Sequence, residues 1–294
     1  MHIGIIVAGL IMIFIIWTVI EQKQLVTTKY VVASAKLPKA LNSTSFVVLA
    51  DLHNYNFGKN NERLVKRIDE LSPEFIIIAG DMINKSAACY PSNVFRLLEQ
   101  LAKRYKIFYA YGNHEQRMDR ILEMNINQND LSSTWVEFKK ILTNLGVIFL
   151  DNKSTVFIKN KEKLRITGVS IGREYFIRGK IPAMEEGYIR SLIGEKTKKE
   201  YQILIAHNPV YFSEYANWGA DLTISGHLHG GLVRLPGVGG VISPQVKLFP
   251  KYNSGNFAEN GQQMVVSRGL GSHSMMPRVF NAPEIVYITM KNQD

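Results

Sequence analysis

The densest chemistry in the sequence is Ser225-Gly226-His227-Leu228-His229-Gly230, where two imidazoles stand two residues apart behind the apolar run Leu222-Thr223-Ile224. In an extended chain, residues i and i+2 share a side, so both rings are expected to face one point. Alone, a His-x-His pair is equally consistent with two histidines sharing a polar loop. Asp51, His53, Asp81, Asn113, His114 and His207 also stand just past apolar runs, and together these positions gather five of the seven histidines. Imidazole and carboxylate without thiolate suit Mn, Fe, Zn or Co, and disfavour Ca and Mg, which take oxygen ligands. A set of this size exceeds one tetrahedral site and would fill two ions sharing a bridging carboxylate. Such a centre would attract phosphate, make hydroxide available near neutral pH, and clamp the attacking and leaving oxygens of an in-line displacement.

The elements that must position these groups are legible as short apolar runs. Phe46 to Ala50, Phe75 to Ala79 and Ile107 to Tyr111 have the continuous apolar pattern of strands covered on both faces. They end at Asp51, Asp81 and Asn113, spaced by about 30 residues, the length of a βαβ unit. Amphipathic segments at Asn60 to Leu71 and Ser92 to Arg104 supply the crossover helices. Ligands of open α/β sheets bind beyond the carboxyl ends of the strands, so this spacing predicts an α/β fold with its polar strand ends converging. A strand is expected at Val26 to Ala35. Further on, a helix over 131–145 is followed by strands at 147–150, 155–159 and 164–169, whose spacing predicts an antiparallel portion. A short helix over 184–193 and strands at 201–206, 221–225, 264–267 and 284–290 complete the expectation. The Gly/Pro-rich loop Gly230 to Pro250 would either rest on lipid and admit an amphiphilic substrate or pack on its own domain.

Residues Ile3 to Ile20 are uncharged and apolar, and as a helix they would reach about 27 Å, close to the hydrocarbon thickness of a bilayer. Trp17 lies where an interfacial anchor belongs. No Lys or Arg precedes the run, and the nearby Ala33-Ser34-Ala35 lies well beyond it, which predicts a retained anchor over a cleaved signal peptide. The expected organisation is an anchor over 1–22, a connecting segment over 23–44 and one domain over 45–294. Lys23, Lys29, Lys36 and Lys39 after the helix favour a cytoplasmic body. The formal net charge of +10 suits phosphorylated substrates or anionic lipid. With no dense Lys/Arg cluster and no motif of interleaved aromatics, a dedicated nucleic-acid module is not expected. The single Cys89 excludes an intrachain disulfide and a thiolate zinc site.

Asp51-x-His53, Gly80-Asp81, Gly112-Asn113-His114-Glu115, His207 and Gly226-His227-x-His229 together resemble the calcineurin-like metallophosphoesterases, each motif present and in order over residues 45 to 290. The resemblance implies a four-layer α/β/β/α sandwich. It makes Asp51, His53 and His229 ligands of one metal and Asn113, His207 and His227 ligands of the other, with Asp81 bridging. His114 would hold no metal and would instead stabilise the phosphate or protonate the leaving oxygen. Two divalent ions are implied, Mn²⁺ first with Fe, Zn or Co as alternatives, together with hydrolysis of a phosphoester or pyrophosphate bond. The apolar N-terminus, His229-Gly230-Gly231 with Arg234-Leu235-Pro236, and Ser267-Arg268-Gly269-Leu270-Gly271 look like the membrane-associated bacterial branch. That branch includes YkuE- and YaeI-like phosphoesterases and hydrolases of UDP-diacylglucosamine pyrophosphate, and some of its members are exported. The expected partner is a phosphorylated small molecule or lipid. Arg173, Arg268, His273 and Arg278 are candidate contacts to it, because guanidinium matches phosphate oxygens bidentately. A membrane-tethered scaffold without catalysis, and a nuclease, are the alternatives. The scaffold has no physical need of the ligands, and a nuclease would need a polynucleotide groove.

Overall fold

The apolar N-terminal run is a single helix, α1 (His2–Lys23), and the chain passes almost directly into β1 (Val26–Ser34). The computed structural model describes residues 2–84, 91–124, 131–197, 199–231, 233–271 and 278–293, so Cys89 and His273 lie outside the described residues. Apolar runs then form β2 (Ser45–Leu49), β3 (Phe75–Ala79) and β4 (Lys106–Ala110), with α2 (Glu62–Leu71) and α3 (Ser92–Ala102) between them. Two helices, α4 (Asn113–Glu123) and α5 (Leu131–Asn144), lead into β5 (Val147–Leu150). Strands β2 to β5 are parallel neighbours in chain order, as successive right-handed crossovers produce.

The second half begins with the antiparallel hairpin of β6 (Lys153–Lys159) and β7 (Glu162–Val169). It continues through α6 (Tyr188–Ile193), β8 (Tyr201–Ala206), α7 (Phe212–Trp218) and β9 (Leu222–Ser225). A two-residue ladder, β10 (Arg234–Leu235) with β11 (Gly239–Gly240), precedes β12 (Gly255–Glu259), β13 (Gln262–Val266) and β14 (Glu284–Asn292). Two six-stranded sheets result, ordered β1-β14-β2-β3-β4-β5 and β12-β13-β9-β8-β7-β6. Of the strands expected to form an antiparallel portion, β6 and β7 do so, whereas β5 runs parallel to β4 in the first sheet; an antiparallel half is corrected, because β7, β8, β9 and β13 run parallel and the antiparallel pairs of that sheet are its edge hairpins. The segments carrying α6 and α7 act as crossovers; α6 falls within the helix expected over 184–193, whereas α7 is too short to give the sequence a clear helical period. The connecting segment expected at 23–44 is also corrected. It contains β1, which pairs with β14 from Val26 to Ser34 and so belongs to the first sheet.

Alternation along the strands sets the layers. In β2, Val47 and Leu49 face α2, α3 and α5 on the outside, joined by Leu64, Leu97 and Phe138. Phe46 and Val48 face inward to meet Ile166, Ile203, Ile205 and Ile224 of the other sheet. On the far side, α6 and α7 cover the second sheet through Ile189, Tyr215 and Leu204. The chain is thus an α/β/β/α sandwich preceded by an apolar helix. Phe75 sits at the middle of the inter-sheet core, stacked on Phe46 at 4.9 Å and touching Phe157 at 4.6 Å between ring centroids. Phe75→Ala is expected to cost about 3–5 kcal/mol through lost burial and the cavity left behind, read as a lowered urea midpoint of the full chain in detergent micelles; an unchanged midpoint would show that the sheets do not pack through this ring.

Candidate metal centre

Both sheets present their carboxyl strand ends to the same place. Past β2 and β3, Asp51 N–H donates to Gly80 O at 3.0 Å and His53 N–H to Asp81 O at 3.1 Å, and past β8 and β9, Gly226 N–H donates to His207 O at 3.0 Å. The approach is so close that a side chain at Gly80, which has φ +86°, would collide with the backbone of Gly112 and come within 2.8 Å of His207 Nδ1. Asp51, His53, Asp81, His227 and His229 all have φ between 49° and 69°, a left-handed conformation that costs a residue with a Cβ about 1–2 kcal/mol. His227 and His229 therefore do not reach the site by strand alternation, as the sequence suggested. Each is turned in by its own left-handed kink.

The side chains gather into overlapping trios whose ligand atoms lie within 4.8 Å of one another: Asp51, His53 and His229; Asp81, His207 and His227; and His53, Asp81 and His114. His53 Nε2 and His229 Nε2 point at each other across 3.1 Å. Nδ1 of His207 is 2.6 Å from Ala79 O and Nδ1 of His53 is 3.3 Å from Ile83 O. Protonation there leaves each Nε2 as a lone pair facing the centre, the arrangement that orients ligating imidazoles. The backbone N–H of His227 donates to both oxygens of Asp51, at 3.2 and 3.0 Å, and that of His114 to Asp81 Oδ1 at 2.9 Å. Asn113, the first residue of α4, brings a buried Oδ1 that accepts no hydrogen bond. A buried amide oxygen without a donor is costly and fits a position beside a cation. Seven of the eight residues singled out at the strand ends, His114 included, therefore share the overlapping trios, and Asn113 stands beside His114 at the start of α4.

The charges are strongly coupled. Burial, more than any other cause, pushes the Asp51 carboxyl up to about 7, against the pull of His207. Burial would also raise Asp81, but the charges of His114 and His207 and the hydrogen bond from His207 outweigh it and hold Asp81 well below the usual carboxylate range. Burial and the neighbouring His53 and Arg278 depress His229. Burial lowers His207, but the neighbouring Asp81 carboxylate outweighs it and pushes that imidazole up to about 10. Carboxylates and imidazoles held together under burial are a donor set for divalent ions of the Mn, Fe, Zn or Co kind, which bind once the imidazoles give up their protons.

Of the four substrate-contact candidates, Arg173 lines a cavity with Asn113 in its wall. Arg268 and Arg278 are corrected. Arg268 Nη2 is paired with Glu284 at 3.0 Å. The Arg278 guanidinium is buried and donates to the carbonyls of Arg268, Gly269, Gly271 and Asn281, stapling the loop against β2, where Leu270 N–H donates to Ala50 O. His273 lies outside the described residues. Two further positioning residues were given no role from the sequence. Asn281 donates from Nδ2 to the carbonyl of His229 at 2.6 Å, while its own N–H and that of Phe280 donate to Glu21 at the end of α1. Glu115 is fully buried, and its two oxygens accept from the N–H groups of Asp81, Met82 and Gly112 at 2.9 Å, from Ile83 N–H at 3.4 Å and from the Tyr109 hydroxyl at 2.8 Å. Its position three residues after Gly112, an acidic residue in the first turn of a helix, was the available signal.

An amide at this position turns one acceptor into a donor facing donors. Glu115→Gln is expected to cost about 1–3 kcal/mol of stability and to weaken Mn²⁺ binding by roughly 10–100-fold, measured by chemical unfolding and by metal titration. A variant unchanged in both would refute the positioning role.

The uncharacterized metallophosphoesterase YkuE of Bacillus subtilis is 23% identical over 280 residues, covering 93% of this chain and 88% of that protein. Phosphodiesterase YaeI of Escherichia coli is 25% identical over 236 residues, covering 79% of this chain and 77% of YaeI. A Danio rerio transmembrane protein with a metallophosphoesterase domain is 23% identical over 265 residues, 87% of this chain and 55% of that one. Among solved structures, the phosphopantetheinyl hydrolase PptH of Mycobacterium tuberculosis superposes with a TM-score of 0.46 at 13% identity, over 76% of this chain and 88% of PptH. The profile of the calcineurin-like phosphoesterases matches residues 44–231, more than half of the chain and every residue of the cluster, and the chain belongs to that family.

Proposed function

We propose that this protein is a binuclear, metal-dependent hydrolase of phosphoester or pyrophosphate bonds, anchored in a membrane by α1. The observation that carries the reading is the pair of complete trios, Asp51/His53/His229 and Asp81/His207/His227, set side by side and linked by the proximity of His53 to Asp81. Asp51, His53 and His229 would hold one ion, Asn113, His207 and His227 the other, and Asp81 would bridge. Two such ions, Mn²⁺ in the first instance, would supply Lewis acidity and make hydroxide available near neutral pH. His114 stands on the first turn of α4, its ring 4.9 Å from that of His53 and its Nε2 3.7 Å from Asp81 Oδ2. In this reading it binds a phosphoryl oxygen or protonates the leaving oxygen.

Several features support action at a membrane surface. Residues 4–23 form a helix long and apolar enough to cross a membrane. At its end, Trp17 packs on Phe280 with ring centroids 5.5 Å apart and donates to Glu21, which holds the loop behind His229. Most of the exposed large apolar side chains described outside α1 lie on three loops around this end of the site: Ile177 and Ile181; Leu235, Val238, Val246, Leu248 and Phe249; and Phe280. The loops are tied together, Gly179 N–H donating to Gln245 O at 2.9 Å and Val233 bridging to Val279. The 233–250 loop is thus hydrogen-bonded to its own domain while its apolar tips face outward, a surface suited to bilayer headgroups and to a lipid-linked substrate.

The purified full chain with Mn²⁺ is expected to hydrolyse bis(p-nitrophenyl) phosphate, and a folded protein inactive with every divalent metal would end the catalytic reading. Asp81→Ala is expected to lose both ions by elemental analysis. His114→Ala should keep them while turnover falls by roughly 10²–10⁴; equal metal loss in the two variants would refute these roles. For the anchor, alkaline carbonate washing of membranes should leave the full chain in the pellet, and its release into the supernatant would refute membrane spanning.

A further inference from the structure

The largest concentration of like charge near the centre is unused by the reaction as described. A cavity of about 560 Å³ has Asn113 in its wall and is ringed by Arg117, Arg120, Arg173 and Arg178. Arg117 and Arg120 are one turn apart on α4, on the face that continues from Asn113, and Arg173 and Arg178 come from the segment after β7. Several other arginines have carboxylate partners, as Arg104 has Asp69, Arg165 has Glu200 and Arg268 has Glu284, and the buried Arg278 has backbone carbonyls. None of these four forms an ion pair among the described residues.

Like charges one helical turn apart repel, and two more guanidiniums share the same small volume. Burial first, and then the charges of Arg173 and Arg117, lower the affinity of Arg120 for its proton, and the more weakly acting carboxylates of Glu123 and Glu174 do not cancel them. A fold gains nothing by collecting unpaired cations; an anionic ligand would offset their repulsion through charge-assisted, bidentate hydrogen bonds. The cavity is also placed to serve the centre. Its wall includes Phe176, whose ring lies 5.1 Å from that of His227 and 6.2 Å from that of His207. A ligand in the cavity therefore lies beside the Asn113, His207 and His227 half of the cluster.

We propose that this arginine cavity binds a second phosphate of the substrate, so that the chain prefers molecules carrying two phosphoryl groups, pyrophosphate-linked or bisphosphorylated, over simple monoesters. The assignment rests on the hydrolase reading for its meaning, but the cavity can be tested apart from it. In the Mn²⁺-loaded full chain, with bis(p-nitrophenyl) phosphate as reporter and free Mn²⁺ buffered, methylenebisphosphonate is expected to inhibit at least about tenfold more tightly than methylphosphonate, the gain of one or more charge-assisted contacts. In Arg120→Gln/Arg173→Gln that ratio of inhibition constants should fall towards one, and Arg120→Lys/Arg173→Lys should restore part of it. Because the ratio is taken within each protein, a general loss of activity cancels. Equal inhibition by the two phosphonates in the wild type, or an undiminished ratio in the glutamine variant, would overturn the proposal. Should the reporter not turn over at all, the hydrolase reading fails, and calorimetric titration of the metal-free full chain with the same two phosphonates decides the cavity alone. Tighter binding of the bisphosphonate, lost in the glutamine variant, supports it, and no difference between the two ligands overturns it.

Discussion

Much of the site depends on one buried carboxylate that touches no reacting atom. Glu115 gathers N–H groups from the turn after β3 and from the residue before α4, together with the O–H of Tyr109. It thereby fixes the distance between two strand ends and the direction in which α4 leaves the sheet. Asp81 takes its backbone position from that contact. The Asp81 carboxylate then accepts the N–H of His114, and Asn113 and His114 follow from the start of the helix. Were α4 to leave at another angle, Asn113 would leave the cluster and the arginines one and two turns later would leave the cavity. The other sheet answers with a smaller device of the same kind, Asp51 accepting the N–H of His227. Each carboxylate thus positions a backbone turn as well as facing the centre.

How much of this was legible in the sequence follows from what periodicity can see. Continuous apolar runs named β3, β5 and β8 to the residue, because strands covered on both faces leave little else to read. Helix α4 escaped, because its buried face is made by His114, Glu115 and Met118, and a polar residue that finds its partners inside looks like surface in a hydrophobicity pattern. The parallel centre of the second sheet was hidden by short crossover helices. The cluster itself was legible because histidine and aspartate recur at strand ends, a pattern independent of backbone detail. That independence is also why the backbone of the His-x-His pair was misread as extended. Arg268 and Arg278 show the opposite limit. A guanidinium that saturates buried carbonyls is written with the same letter as one that awaits phosphate, and only the fold separates them. β1 was legible as a strand, but its partner β14 is almost the whole chain away, beyond the reach of any local pattern.

The apolar helix α1 and the site are closer than their separation along the chain implies. Glu21 at the foot of α1 holds the N–H groups of Phe280 and Asn281, and the Asn281 side chain holds the carbonyl of His229. Only a few hydrogen bonds stand between this helix and a residue of the cluster, so the end of α1 is fixed against the domain and is not joined to it by a flexible leash.

Five residues of the cluster are held in a left-handed conformation, at about 1–2 kcal/mol for each histidine and less for the aspartates, whose side chains hydrogen-bond locally. A domain stays folded by a margin of only about 5–15 kcal/mol, so the kinks persist only because the hydrogen bonds of Asp51, Asp81 and Glu115 hold the turns around them. Loosening those carboxylates would let the ligand turns relax before the sheets themselves give way.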